Sequence, residues 1–446
     1  MKVKLLGILI CILILISTYS VGGIVNQTSD KDKKYVSNNS VDGGWLEERN
    51  GVKILHVSGS HYEMGYQHGH LLKEEALQNM RAFLDYTTRR ITYEELRDIW
   101  NSMKNYLPNE YIDELHGLAD GSGTSFEEIC AVYAASECSA YVNCFGVAAW
   151  SEATIDGELY HARSWDLPFD IKDPISGKFV HENSVLIIRK PENGYASLCP
   201  SVAGAPNGAG GINEKGIGIG SQVCWSDDQG FNGPPILLRV QMILDYVDTI
   251  EDALDGLTSD RTLGWNFVVS DCKIPVGYAV EISENHFYIG EWNNPIESNN
   301  PFWTIRNIVR RTNFYIDPVL ATSQREHYNP SGILGLLRAL LSDEFFFVVW
   351  TSYRAMSNEI EKLWGSLDIN SIISMLQRVY SGETDFILNF IKSRAVESSF
   401  LKAWNQWAAC AKTGDMTVSF ATRNENACET EIHCFNLYEL LNTNPP

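Results

Sequence analysis

Basic residues are in short supply: 35 Lys and Arg stand against 56 Asp and Glu, a formal net charge of −21. No basic cluster long enough to follow a phosphate backbone occurs, which argues against nucleic acid and anionic membrane faces as partners. Metal spacings are missing too. There is no Cys-x-x-Cys, no His-Glu-x-x-His and no paired ligand pattern, so a zinc centre has no support, and no metal or organic cofactor is expected. His61, His68 and His70 read as packing or solvated residues. No Gly-x-Gly-x-x-Gly follows a strand, which removes the dinucleotide fingerprint, and no internal repeat is present. What remains is ordinary for a globular chain with a real core: 446 residues, 44% hydrophobic and 20% charged, enough for one large domain or two.

The first residues carry their own signal. Met1–Lys4 is positive, Leu5–Ile16 is an unbroken apolar run, and small residues follow. This is the layout of a signal peptide, or of a membrane anchor if the apolar run extends to Val25. Residues 1–24 are read as that segment and 25–44 as a polar, flexible linker, so the protein is expected outside the cytoplasm, secreted or anchored to a membrane. Beyond the leader stand nine cysteines, an odd number. At least one thiol is then free if the others pair, and Cys428 and Cys434 are close enough to bridge.

Val52–Val57 reads as a strand that turns at Gly59 into a helix. Gly65 and Gly69 lie four apart, on one helix face, which permits close packing of another element. From Leu71 to Tyr133 apolar residues recur at spacings of three and four, with capping boxes opening helices at Thr92 and Ser125. Residues 45–143 are thus a strand plus a helical segment. After Cys144 the texture changes to short strands separated by Gly, Pro, Asn and Asp turns. Helical stretches appear at Ile236–Leu257, Ser331–Leu341 and Ile369–Tyr380, a helical insertion is read over about 331–410, and Met416–Ala421 with Glu431–Asn436 close the chain as strands. Stacked α and β layers, an α+β fold, are expected.

The stretch 143–166, NCFGVAAWSEATIDGELYHARSWD, is a strand, a turn and a returning strand. It begins with Cys144 and ends with Arg163 and Asp166. A nucleophilic cysteine needs its thiolate, a proton acceptor and a place for an oxyanion. A cysteine at a strand start has a special option. If the bond before it is cut, its α-amine, with a pKa of about 7.7–8.0, becomes a general base. The hairpin brings Arg163 and Asp166 back to the same end. Arg163 would favour the thiolate, and Asp166 would hold the amine. The scissile bond would be Asn143–Cys144, which makes the preceding helical segment a pro-region or small subunit.

Here the chain resembles the N-terminal-nucleophile hydrolases with a cysteine nucleophile, and within them the peptidase C45 family that holds the acyl-coenzyme A:6-aminopenicillanate acyltransferases. Choloylglycine hydrolases and ceramidase-like amidases are more distant relatives. Gly59–Gly69 is similar to the opening of that family, Gly211–Ile219 to a strand-turn-strand, and Thr262–Asp271 to the next hairpin. The resemblance implies a four-layer αββα sandwich. It implies an oxyanion hole built from Asn313, in the Arg311–Phe314 stretch, and a backbone N–H near Gln222 and Val223. Ser323–Arg325 is similar to a later Ser-x-Arg element, which carries over Arg325 as a substrate contact, with Trp165 and Val223 as pocket walls. Asn143 stands where those acyltransferases have glycine, and Arg163 where they have glutamine, which leans toward hydrolysis.

The expected activity is cleavage or transfer of the acyl group of a small amide through an acyl-enzyme. Two other readings stand beside it: a catalytically inactive surface or binding protein on the same fold, and a conventional Cys/His protease using His161 or His327.

Overall fold

The hairpin expected after Cys144 is present, its two strands pairing antiparallel. The computed structural model describes residues 33–34, 40–138, 144–324, 345–385 and 402–445. The leader over 1–24, Asn143, Arg325, His327 and Ser331–Leu341 lie outside the described residues.

Strands β1 (Lys33–Lys34), β2 (Ser40–Val41), β3 (Gly44–Arg49) and β4 (Val52–Gly59) precede five helices: α1 (His61–Leu71), α2 (Lys73–Thr88), α3 (Tyr93–Met103), α4 (Asn109–Ser122) and α5 (Phe126–Ala135). The hairpin follows as β5 (Phe145–Ser151) and β6 (Gly157–Leu167). Next come β7 (Ser184–Pro191), β8 (Ser197–Val202), β9 (Gly210–Asn213) and β10 (Ile217–Val223), then α6 (Ile236–Tyr246) and α7 (Ile250–Thr258). The strands β11 (Trp265–Asp271), β12 (Val276–Ile282), β13 (Phe287–Gly290) and β14 (Ile308–Arg311) lead to α8 (Phe345–Leu363) and α9 (Ile369–Ser381). Finally β15 (Lys402–Cys410), β16 (Asp415–Phe420) and β17 (His433–Asn436) end the sheet structure.

Two sheets result. One runs β1-β3-β4-β7-β8-β9-β10-β11-β12-β13, with β2 on β3; the other runs β14-β5-β6-β15-β16-β17. Their facing sides share one apolar layer, with Ile54, Leu186, Ile188, Ile212 and Val268 from the first and Ala148, Trp150, Leu159, Trp407 and Val418 from the second. The outer face of the first sheet packs Leu55, Val57, Val185 and Ile187 under α1–α5, and Ile219, Phe267 and Val280 under α6 and α7. The outer face of the second packs Phe145, Val147, Ala162 and Ala408 under Met356 and Ile360 of α8 and Ile372, Leu376 and Val379 of α9. The architecture is therefore an αββα sandwich. Because both faces of both sheets are covered, many strands are continuously apolar instead of alternating.

The segment before Cys144 belongs to this sandwich. β4 pairs in parallel with β7, from Ile54 opposite Leu186 to Gly59 opposite Pro191, and Lys33–Pro446 forms one unit by its contacts. Three sequence expectations are corrected. Ser40 and Lys34 pair with Trp45 and Glu48 of β3, so strands enter the expected linker. The insertion expected as helical to about 410 contains strand β15, which lies between β6 and β16. Ala403, Trp404, Trp407 and Ala408 of β15 are all buried, and an apolar run without period-two alternation does not distinguish strand from helix. Cys434 carries a free thiol, so a Cys428–Cys434 bridge is not formed.

Gly65 and Gly69 do the packing expected of them. A Cβ on Gly65 would sit 2.0 Å from the Glu114 carbonyl oxygen, and one on Gly69 2.5 Å from that of Leu118, so α1 lies directly on the backbone of α4. Gly65→Ala is expected to force the helices apart and cost about 1–3 kcal/mol. Urea unfolding that gives the same midpoint as the parent protein would contradict this.

Candidate active site

Cys144 immediately precedes β5, at one end of the layer between the sheets, and is 1% exposed. The β5–β6 register sets Phe145 opposite Ser164 and Gly146 opposite Arg163. Side chains alternate along a strand. Phe145 faces α8 and α9, so Cys144, Arg163 and Trp165 face the other way, into the layer between the sheets. Arg163 Nη2 donates toward Cys144 Sγ at 3.7 Å. The guanidinium is itself held: Nε and Nη2 donate to the Ser221 carbonyl at 3.0 and 2.7 Å, and Nη1 to that of Gly208 at 2.6 Å. Burial, with the Asp166 charge adding to it, pushes the Cys144 thiol up to about 11, while Arg163, the Asp166 main-chain N–H and the Asn313 side chain oppose. Burial wins, so in the intact chain the sulfur is a thiol at neutral pH and needs a base.

Asp166 is buried on the other face of β6. Its Oδ1 accepts from Ser164 Oγ at 2.5 Å, and that hydroxyl accepts from Gln406 Nε2 of β15 at 2.9 Å. Its main-chain N–H favours the Cys144 thiolate, and its charge disfavours it.

Asn313 arrives from the far end of the sequence. Its Oδ1 accepts from the Cys144 main-chain N–H at 2.5 Å, and its Nδ2 donates to the Val223 carbonyl at 2.8 Å. Each end of the amide faces a complementary group, which fixes its orientation. Cys144, Arg163 and Asn313 therefore meet at one point, whereas the Asp166 carboxylate bonds to Ser164 on the other face of β6. Val223 borders the same site and presents its carbonyl to Asn313, and Trp165 stands edge-on to Trp404 at 5.5 Å.

The loop carrying Asn313 is clamped by residues that the sequence reading did not single out. Asn266 Nδ2 donates to the carbonyls on both sides of Asn313, Thr312 at 2.9 Å and Phe314 at 2.7 Å. Glu281 accepts from the N–H groups of Ile316 and Asp317 and pairs with Arg311 Nε at 2.8 Å. Arg311 also pairs with Glu297, Nη1 donating to Oε2 at 2.9 Å. These side chains are buried, and burial pushes Glu281 up to about 7 against the pull of Arg311. No local sequence signal marks them, because their partners lie on other elements.

A cavity of about 80 Å³ opens on Cys144, roughly half the space of about 150 Å³ that admits benzene in an engineered core. Met80, Phe83, Val132, Trp165, Leu167 and Trp265 are among its walls, so helices α2 and α5, before Cys144, close a pocket whose floor comes after it. Two of its polar wall groups are engaged with main-chain carbonyls, Asn79 donating to that of Ala203 at 2.9 Å and Ser136 to that of Tyr133 at 2.6 Å, while Arg163 is directed at Cys144.

His161 is not a partner for this sulfur. Its Nδ1 lies 2.8 Å from Ser270 Oγ, its ring stacks on Trp407, and burial pushes it down to about 3. Among the described residues no cluster of His, Cys, Asp and Glu is arranged to hold a metal ion. None of their helices is long and apolar enough to cross a membrane.

No family model matches the chain. It is 25% identical over 363 residues to an uncharacterized protein of Archaeoglobus fulgidus, covering 71% of this chain and 57% of that one. It is 28% identical over 242 residues to protein dcd1B of Dictyostelium discoideum, covering 47% and 46%. The chain thus spans about half the length of these two curated relatives. Against protein dcd1A of the same organism it is 23% identical over 366 residues, 74% and 75% of the two chains. Solved structures similar to it include a conjugated bile acid hydrolase from Clostridium perfringens (16% identity, TM-score 0.35, 66% of this chain and 97% of that one). A Caenorhabditis elegans ortholog of N-acylethanolamine-hydrolyzing acid amidase matches at 12% identity and TM-score 0.38, over 60% and 93%. Penicillin V acylase from Agrobacterium tumefaciens matches at 12% and 0.36, over 66% and 87%.

Proposed function

We propose that this chain is a cysteine N-terminal-nucleophile hydrolase, of the kind the peptidase C45 resemblance implies, that acts on amide bonds of small N-acyl compounds. One observation carries the reading: the main-chain nitrogen and the sulfur of Cys144 are held together, by Asn313 and Arg163, at the mouth of an apolar cavity.

The proposed precursor step uses the Cys144 sulfur and the peptide bond before it. Cys144 Sγ attacks the carbonyl carbon of Asn143, the C–N bond to Cys144 breaks, the thiol proton passes to the departing nitrogen, and a thioester and a free amine result. Water then hydrolyses the thioester, leaving a carboxylate on Asn143 and the thiol on Cys144. The new amine, at the position where Asn313 already binds the nitrogen, takes the thiol proton that burial otherwise retains. Asp166 supplies the negative charge to hold the resulting ammonium, and Arg163 faces the thiolate.

In turnover the thiolate attacks the substrate carbonyl and the leaving amine receives the proton. Water, or an acceptor amine, then releases the acyl group. Asn313 Nδ2 and a main-chain N–H near Val223 stabilise the oxyanion. Away from Arg163 the walls are mostly apolar, which favours a small apolar acyl group, with Arg325 a further substrate contact. Neither step calls for a metal or organic cofactor. Secretion or membrane attachment through residues 1–24 is part of this proposal.

The test is intact mass after mixing with small N-acyl amides. An adduct equal to the acyl group, on the peptide containing Cys144, supports the reading; adducts on other cysteines, or none, refute it. Asn313→Ala is expected to lower kcat by about 10²–10³-fold with a smaller change in KM. Steady-state kinetics in which only KM rises would remove Asn313 from the oxyanion hole.

A further inference from the structure

The cavity that opens on Cys144 bridges two buried clusters. Cys144, Trp165, Leu167 and Val223 belong to one, and Met80, Tyr133 and Ala203 to the other, the one under α1–α5. All of them line the cavity. An acyl group carried on the sulfur therefore starts among the first set and ends against the second.

That far end is pinned except at one side chain. The Gly204 main-chain N–H donates to His68 Nε2 at 2.9 Å, Tyr133 Oη reaches the Gly204 carbonyl at 3.4 Å, and Asn79 Nδ2 donates to the Ala203 carbonyl at 2.9 Å. Burial pushes His68 down to about 4, so its ring is neutral and accepts. Ala203 and Gly204 bring no side chain long enough to set the depth of the space. Met80 of α2 does bring one. It is 4% exposed, and its terminal methyl lies 3.3 Å from where a Cβ on Gly204 would stand. An unbranched thioether is also the apolar side chain that refills irregular gaps most readily.

We propose that Met80 is the specificity-determining residue of the pocket: its thioether is the stop against which the acyl chain ends, and it restricts the substrate to N-acyl amides with a short, uncharged acyl chain. A cavity of about 150 Å³ takes the six carbons of benzene, and at that ratio one of about 80 Å³ takes about three carbons beyond the acyl carbonyl. Butanoyl amides are the expected best substrates. Among the described residues the charged group in the wall is Arg163, which is directed at Cys144, so a charge at the far end of the chain would meet no partner. This inference deepens the amide-hydrolase reading above and rests on it. It places the choice of substrate on a helix that precedes the nucleophile in the chain.

The test is kcat/KM for N-acyl p-nitroanilides from acetyl to decanoyl, with the parent protein, Met80→Ala and Met80→Phe. In the parent, each added methylene should raise kcat/KM about fourfold until the pocket is full. The first carbon too many should lower it about tenfold or more. Alanine removes the outer part of the side chain, so the optimum should move about two or three carbons longer and the hexanoyl-to-butanoyl ratio should rise at least about tenfold. Phenylalanine should move the optimum shorter. Opposite shifts in variants that keep their near-UV circular dichroism are a result that a general loss of packing would not give. If the alanine variant does not fold, the phenylalanine variant decides alone. An optimum that stays put in a folded variant overturns the inference, as does a parent protein that prefers decanoyl, and either leaves the amide-hydrolase reading standing. A parent protein that neither turns over any member of the series nor is acylated by one at Cys144 overturns that reading, and this inference with it.

Discussion

Replacing Cys144 by alanine is expected to lower amide hydrolysis by at least about 10³-fold and to leave the chain whole. The magnitude follows from removing a covalent nucleophile, after which only binding and the oxyanion donors remain. The double loss follows from the site's economy. In the proposed function one residue supplies the sulfur that cuts the Asn143 bond, and that cut supplies the amine that activates the sulfur. Cys144→Ser is the informative companion. A hydroxyl can still attack intramolecularly, so slow cleavage with little turnover is expected. Steady-state assays beside intact mass separate the two steps. An alanine variant that retains turnover would assign the chemistry to another residue.

The second large effect is on stability. Arg311→Met leaves Glu281 and Glu297 buried without their cation. Arg311 and Glu281 are both 0% exposed and Glu297 4%, so water cannot replace the lost partner. Breaking such a cluster from one side costs about 3–5 kcal/mol. At the usual entropy of unfolding per residue, this lowers the melting temperature of a chain of this size by about 3–5 °C. The Asn313 loop should suffer with it, since Glu281 is the acceptor for the Ile316 and Asp317 N–H groups. Calorimetry on the variant checks the first part, and kcat per cleaved molecule the second. An unchanged melting temperature would mean that the cluster contributes no net stability.

Which parts of this were legible in the sequence follows from where the contacts lie. The β5–β6 hairpin was, because its Ile155–Glu158 turn and its Cys144 and Arg163 ends lie within one short stretch, and a register of Gly146 opposite Arg163 puts them together. The Gly65 and Gly69 face was legible because helical spacing is local. Asn313 was reached only through a family resemblance, since nothing near it in the chain hints that it would bind the Cys144 nitrogen 169 positions away. Asn266 was invisible for the same reason: its meaning is in Thr312 and Phe314, far along the chain. β15 was misread because a strand covered on both faces loses the alternation that identifies strands. The parallel pairing of β4 with β7 was missed because parallel register has no turn to announce it, and it is this pairing that builds the segment before Cys144 into the sheet.

The central claim is that Cys144 becomes a chain terminus whose own amine is the base. N-terminal sequencing of the purified wild-type protein, with intact mass on the same sample, tests it most directly. The account predicts two chains, the larger beginning Cys-Phe-Gly at residue 144. A single uncut chain that nevertheless hydrolyses an N-acyl amide at full rate would contradict it.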